Sequence, residues 1–355
     1  MINRREILGG AGAMGGVAFV GCSLIGAKGA RAQAQARRRE TVVNGRRVKT
    51  VDVHCHCVIP DAMALMGVKP NPSELHLSPL QDRIQVMDQQ GIDVEALSIN
   101  PFWYKADRDT AAKIIAIQNE GLAKICAAQP ERFVAFATVA LQYPDLAVEQ
   151  LVDGVKKYGL RGLSVAGSVN GEELAAEKFH PVWAKAEELG ILVFIHPLGT
   201  AELRGRLAGN GGLDNVIGNP LETTIALSHL IFEGTLDRFP GLKICAAHGG
   251  GYLPSYAARS DAGCTTFPDR CVKPLKKHPT EYLKQMYFDS IVFTPEALAH
   301  LIHEVGAGRI VMGTDYPFPW MKTAVDHILA TPGVSDAERV AMLGGTAAQL
   351  LGISA

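Results

Sequence analysis

Thr50-Val51-Asp52-Val53-His54-Cys55-His56 is a short, β-branched, largely apolar run that closes on two histidines. A run of this length and composition predicts a buried strand. Side chains on a strand alternate faces, so His54 and His56 are expected on one face, about 6–7 Å apart at Cα. Two imidazoles at that spacing can converge on one metal ion. Cys55 and Cys57 fall on the opposite face and read as packing residues. Taken alone, His-x-His is weak, since alternating histidines also occur in ordinary strands.

Seven further runs of the same kind follow: Val94–Ile99, Phe133–Val139, Gly162–Ala166, Leu192–His196, Lys243–His248, Tyr287–Phe293 and Arg309–Gly313. Amphipathic helix patterns lie between them at Pro79–Gln90, Asp109–Ala128, Asp145–Tyr158, Pro181–Leu189, Leu221–Arg238 and Pro295–Val305. Gly91, Gly159, Gly190 and Gly306 punctuate helix ends. Eight strand–helix alternations predict a single-domain α/β fold, a (β/α)₈ TIM barrel over residues 48–355. No Gly-x-Gly-x-x-Gly turn follows the first strand, which counts against a dinucleotide-binding sheet.

The strand ends carry the chemistry. His196 ends Leu192–Ile195 and precedes Pro197; His248 ends Ile244–Ala247 and precedes three glycines; Asp315 follows Ile310–Thr314. In such barrels the carboxy-terminal rim of the strands is where active sites are built. Buried imidazoles and carboxylates need a partner or a metal to persist there. Three histidines, His54, His56 and His196, with Asp315 suit one divalent ion, zinc first and manganese as the alternative. His248 is then left as general acid or base, a task suited to imidazole, and spacing leaves open that it is a fifth ligand instead. His300 and His303 are one helical turn apart but read as a solvated face. His76, His180, His229, His278 and His327 read as structural.

The first residues, Asn3-Arg4-Arg5-Glu6-Ile7-Leu8, an Ala/Gly-rich run and Ala30-Arg31-Ala32 read as a Tat-type signal peptide over residues 1–32. A flexible leader is expected over 33–47, and the mature protein is expected in the periplasm or outside the cell, without stable membrane insertion. A net charge of -1 over 355 residues gives no basis for nucleic-acid binding. Of the seven cysteines, Cys264 and Cys271 are the close pair outside strands, and the sequence leaves open whether they are bridged.

Five motifs carry a family resemblance: Asp52–His56, Met87–Gly91, Pro220–Thr224, Ala247–Gly251 with Pro254, and Gly313–Pro319. From about Val51 to Gly352 the chain resembles the amidohydrolase superfamily, in particular the metal-dependent decarboxylases related to 2-amino-3-carboxymuconate-6-semialdehyde decarboxylase. The resemblance implies a TIM barrel, one divalent metal on His54, His56, His196 and Asp315, and His248 as the acid/base. It also implies that Arg259 reaches a neighbouring subunit's site to hold a substrate carboxylate, and therefore a homodimer. The fourth strand lacks the lysine that bridges two metals in other members, so a mononuclear site is implied.

The chain departs from that pattern in two places. Residues 58–79 hold no arginine where those decarboxylases carry a second one, and Pro197-Leu198-Gly199-Thr200 lacks an aromatic. Arg204 and Arg206 are candidates for a replacement clamp, and Trp103, between Phe102 and Tyr104, for a pocket wall. The expected reaction is non-oxidative decarboxylation of a small aromatic or unsaturated carboxylic acid, with Asp315 sharing proton transfer. Hydrolysis of an ester, lactone or amide would use the same groups, and a non-catalytic binding role is a third reading.

Overall fold

The computed structural model describes residues 38–70 and 80–354. Eight strands form its centre: β1 (Val51–His56), β2 (Val94–Ser98), β3 (Phe133–Ala137), β4 (Gly162–Ala166), β5 (Leu192–His196), β6 (Lys243–Ala246), β7 (Tyr287–Asp289) and β8 (Ile310–Val311). They pair in chain order, every pair parallel. The circle closes between β8 and β1, where Val53 N–H donates to the Met312 carbonyl at 2.9 Å and Asp315 N–H to the His54 carbonyl at 2.8 Å. This is a (β/α)₈ barrel. The principal helices after the strands are α1 (Leu80–Gln90), α2 (Arg108–Ala128), α3 (Pro144–Lys156), α4 (His180–Leu189), α5 (Gly218–Phe232), α6 (Leu253–Thr266), α7 (Pro295–Val305) and α8 (Ala324–Ala330). The glycines expected to end helices all have positive φ. Gly190 caps α4 in the left-handed region that a Cβ disfavours.

Two apolar layers hold the barrel. Inside it, Val51, Val53, Ala96, Phe136 and Phe194 form a plug, and the Phe136 and Phe194 rings stack at 5.6 Å. Outside it, Cys55, Leu97, Val165 and Ile195 pack against the helices. The expected alternation along β1 is interrupted: pairing with β2 shifts register between Asp52 and Cys55. Val53 lies in the inner plug, and the His54 ring next to it meets Phe194 at 5.0 Å, so two consecutive residues face inward. A bulge adds one residue to a strand and re-aims the side chains beyond it. Here it turns His54 and His56 into the barrel and sends Asp52 outward toward Cys55 and Glu95.

The flexible leader expected as far as residue 47 is in part ordered: Val42–Val43 and Arg46–Arg47 form an antiparallel pair, and Val43 is buried. Arg38 and Arg47 pair with Asp93, and Arg39 with Asp326, which fastens this stretch to the barrel. Cys264 and Cys271, left open by the sequence, are bridged. The expected signal peptide over residues 1–32, residues 33–37 and His76 lie outside the described residues. Among the described residues no helix is long and apolar enough to cross a membrane.

Candidate metal centre and active site

At the carboxy-terminal rim, one ligand atom each of His54, His56, His196 and Asp315 comes together, all within 4.8 Å of one another and all buried. His54 Nε2 lies 3.1 Å from His56 Nε2, and Asp315 Oδ1 lies 3.2 Å and 2.9 Å from the two. Their other ring nitrogens are committed elsewhere. The Ser98 hydroxyl spends its one proton on the Cys55 carbonyl at 2.8 Å, so it accepts from His56 Nδ1 at 2.9 Å. His54 Nδ1 donates to Asp289 Oδ2 at 2.5 Å. The two Nε2 atoms therefore face each other, an arrangement that repels unless a proton or a metal ion lies between them. His196 Nδ1 is buried without a partner. This donor set fits a single divalent metal ion.

The electrostatics agree. Burial alone would lower the His54 imidazole, but Asp315 and Asp289 outweigh it and push it up to about 10. In His56 burial wins over Asp315, and the imidazole titrates below its usual range. Burial, with His56, His54 and His248 crowding it, drives His196 well down. Burial opposes charge on Asp315, yet His54, His248 and His56 hold its carboxyl well below the carboxylate range.

The backbone is shaped to make this possible. Asp315 has φ +62° and His248 φ +54°, a region rare for residues with a side chain and one that clusters at functional sites. Gly313 passes so close to β1 that a Cβ there would lie 2.9 Å from that of His54. Asp52 accepts from His54 N–H at 3.0 Å and Thr314 N–H at 3.2 Å, bracing β1 against β8. Arg83, fully buried on α1 and ion-paired with Glu95, donates to the His56 carbonyl at 2.8 Å and lies 4.6 Å over the Tyr316 ring.

His248 stands beside the four ligands, its Nε2 3.7 Å from Asp315 Oδ2 and its ring 5.1 Å from that of His54. Its side chain is 13% exposed, more than any of the four, and faces a cleft shared with Asp315, Asn215, Asn219, Phe293 and Trp320. Two residues that the sequence did not single out complete the site. Asp289 ends β7 and accepts from four donors: His54 Nδ1, His248 N–H at 2.8 Å, Gly249 N–H at 2.9 Å and Ile291 N–H at 3.0 Å. Burial opposes its charge, but His54 lowers its pKa. A carboxylate at the end of an apolar run was the available signal, the same one that marked Asp315. Ser98, at the end of β2, is a residue type too common at strand ends to stand out.

The four proposed substrate contacts are placed apart from the cleft. Trp103 has no exposed surface and gives its indole N–H to the Val139 carbonyl at 2.9 Å, so it is a core residue and not a pocket wall. Arg204 and Arg206 are exposed and do not line the cleft. Arg259, on α6, borders a separate surface hollow with Phe267, Arg270 and the bridged cysteines.

The sequence matches the family described as Amidohydrolase over residues 51–353. A 2-amino-3-carboxymuconate-6-semialdehyde decarboxylase of Dictyostelium discoideum is 31% identical over 308 residues, 86% of this chain and 84% of that protein. The crystal structure of a 5-carboxyvanillate decarboxylase from Sphingomonas paucimobilis superposes with a TM-score of 0.79 at 25% identity, covering 86% of this chain and 100% of that one. A dihydroxybenzoic acid decarboxylase from Polaromonas sp. JS666, solved with bound manganese and the inhibitor 2-nitroresorcinol, gives 0.73 at 26% identity over 86% and 97%. With the barrel closed at β8–β1 and three histidines meeting an aspartate on its rim, this chain belongs to the amidohydrolase family.

Proposed function

We propose that the protein is a metal-dependent, non-oxidative decarboxylase of small aromatic carboxylic acids. The observation that carries this reading is the likeness, over most of the chain, to decarboxylases of such acids, joined to a histidine left free beside the metal ligands. A divalent ion held by His54, His56, His196 and Asp315 supplies positive charge to anionic oxygens of the substrate. His248, which lines the same cleft as Asp315 with its Nε2 3.7 Å from Asp315 Oδ2, delivers a proton to the ring carbon that bears the carboxylate. The carbon–carbon bond then breaks, its electron pair returns to the ring, and CO₂ leaves; one proton is taken up for each CO₂ released. Asp315 Oδ2 faces His248 and steadies it when it carries the proton. Hydrolysis would draw on the same residues, and the relatives weigh toward the lyase.

Finer points belong to the same reading. Three imidazoles and one carboxylate suit zinc, and the Polaromonas relative weighs toward manganese; activity of protein loaded with each decides. Arg259 is proposed to serve a partner subunit's cleft in a homodimer, which mixing Arg259→Ala with His248→Ala chains tests through recovered activity. Residues 1–32 are proposed to direct Tat export to the periplasm, and Arg4→Lys with Arg5→Lys is expected to abolish it. The reaction itself is tested on matched phenolic acids and their esters, following CO₂ and free acid separately. Release of CO₂ that falls at least about 10²-fold in His248→Asn, with metal content kept, is the expected result. Acid release without CO₂ overturns the lyase reading.

A further inference from the structure

We infer that Phe293 and Trp320 form an aromatic clasp that holds the substrate ring and selects rings with an uncharged outer edge. This rests on the decarboxylase reading for the position of the carboxylate but on separate residues for its evidence.

Phe293 is 54% exposed and Trp320 43% exposed, although both are large and apolar. Their rings stand 6.1 Å apart at 63°, an edge-to-face pair. Both line the cleft that holds His248 and Asp315. An aromatic pair left half in solvent beside a buried aspartate and a partly buried histidine offers a ligand apolar faces on one side and chemistry on the other.

Phe293 also adopts φ +65°. It sits at the centre of a three-residue turn, in which Thr294 N–H donates to the Val292 carbonyl at 2.9 Å. A bulky residue in this conformation is strained, and packing does not account for it, because the side chain is mostly exposed. Strain held at the edge of a cleft points to a use for the side chain there. The turn throws the phenyl ring out of the core and across from Trp320.

The rest of the lining sets the chemistry. Asn215, Asn219, Val216 and Pro220 complete the wall, and among the described residues of the same subunit no lysine or arginine contributes to it. A ring bearing one carboxylate, directed at the metal ligands, meets only amide and apolar groups along its outer edge. Hydroxyl or methoxy substituents suit that edge. A second carboxylate there would lose water without gaining a cation from this wall.

Trp320 provides its own probe, since the chain has three tryptophans and Trp103 and Trp183 are both buried. Manganese-loaded protein is titrated with 2,6-dihydroxybenzoate, cyclohexanecarboxylate and benzene-1,3-dicarboxylate while acrylamide quenching of tryptophan fluorescence is followed. The dihydroxybenzoate is expected to shield Trp320 from acrylamide and to bind more tightly than either of the others. Trp320→Leu is expected to weaken dihydroxybenzoate about fivefold to tenfold, the scale of one aromatic contact, and to leave cyclohexanecarboxylate almost unchanged. Phe293→Gly is expected to weaken the aromatic ligand similarly while keeping or raising Tm, because glycine accepts the positive φ. A residue that served only folding would lower Tm instead.

Unchanged quenching on saturation, or equal weakening of the aromatic and the saturated acid in Trp320→Leu, overturns the clasp. Preference for the dicarboxylate overturns the uncharged edge. Shielding without CO₂ release leaves the clasp standing and sinks the lyase reading; CO₂ release unaffected by both substitutions does the reverse.

Discussion

Replacing Asp289 with asparagine removes one charge and turns one of two acceptor oxygens into a donor. The wild-type carboxylate receives four bonds: Oδ2 from His54 Nδ1 and His248 N–H, Oδ1 from Gly249 N–H and Ile291 N–H. Asparagine can satisfy only one of these pairs. If its NH₂ occupies the Oδ2 position, His54 must accept at Nδ1. Its proton then moves to Nε2, the atom that faces the metal. If the NH₂ occupies the Oδ1 position, two buried backbone donors are orphaned and His54 loses its anionic partner. Each orphaned donor costs about 1–3 kcal/mol, so orphaning two costs about 2–6 kcal/mol. Loss of such a partner to a ligating histidine lowers metal affinity by about 10–100-fold. Competition against a chromophoric chelator measures the affinity, and Tm with and without metal separates it from folding. The loss of metal affinity is expected to persist in molecules that remain folded. Unchanged metal affinity in Asp289→Asn would refute the view that this carboxylate fixes the His54 tautomer.

The same geometry sets three further outcomes. In metal-free protein His54 is pushed up to about 10, against about 6.5 in an unfolded chain. Its protonated form therefore stabilises the metal-free fold fully below pH 6.5, and that contribution fades toward pH 10. Metal must displace this proton, so the rise in Tm on adding manganese should grow between pH 6.5 and 9; a constant increment argues against it. Arg83→Met leaves Glu95 buried and unpaired, for about 3–5 kcal/mol of destabilisation by urea unfolding, and Arg83→Met with Glu95→Leu should recover most of it. Gly251→Ala would place a Cβ 2.1 Å from the Pro220 carbonyl at φ +66°, so a clear fall in Tm is expected, and a wild-type Tm would contradict the closeness of that approach.

What could be read from the sequence depended on how regular the physics is at each level. Strands buried on both faces leave apolar runs, and a polar residue ending such a run has few explanations, which is why His196, His248 and Asp315 stand out. Asp289 obeys the same rule, but its run, Tyr287–Phe293, reads as continuing past it, whereas the strand ends at the aspartate itself. The bulge in β1 has no sequence mark, because it arises from pairing on both sides, with β2 and across the closure with β8. Trp103 shows the opposite failure. An aromatic trio after a strand suggests a pocket wall, but only the packed structure reveals that its indole is buried and its N–H committed.

The reaction itself is hardest to see, since one metal and one free histidine serve lyase and hydrolase chemistry alike. Metal ligands are fixed by strands whose geometry is shared by all such barrels, while Phe293 and Trp320 project from loops beyond β7 and β8, where spacing carries no periodic signal. Ligand choice and metal binding are thus carried by separate layers of the molecule. Trp320→Leu should accordingly move substrate preference while leaving metal affinity untouched, and Asp289→Asn should do the reverse.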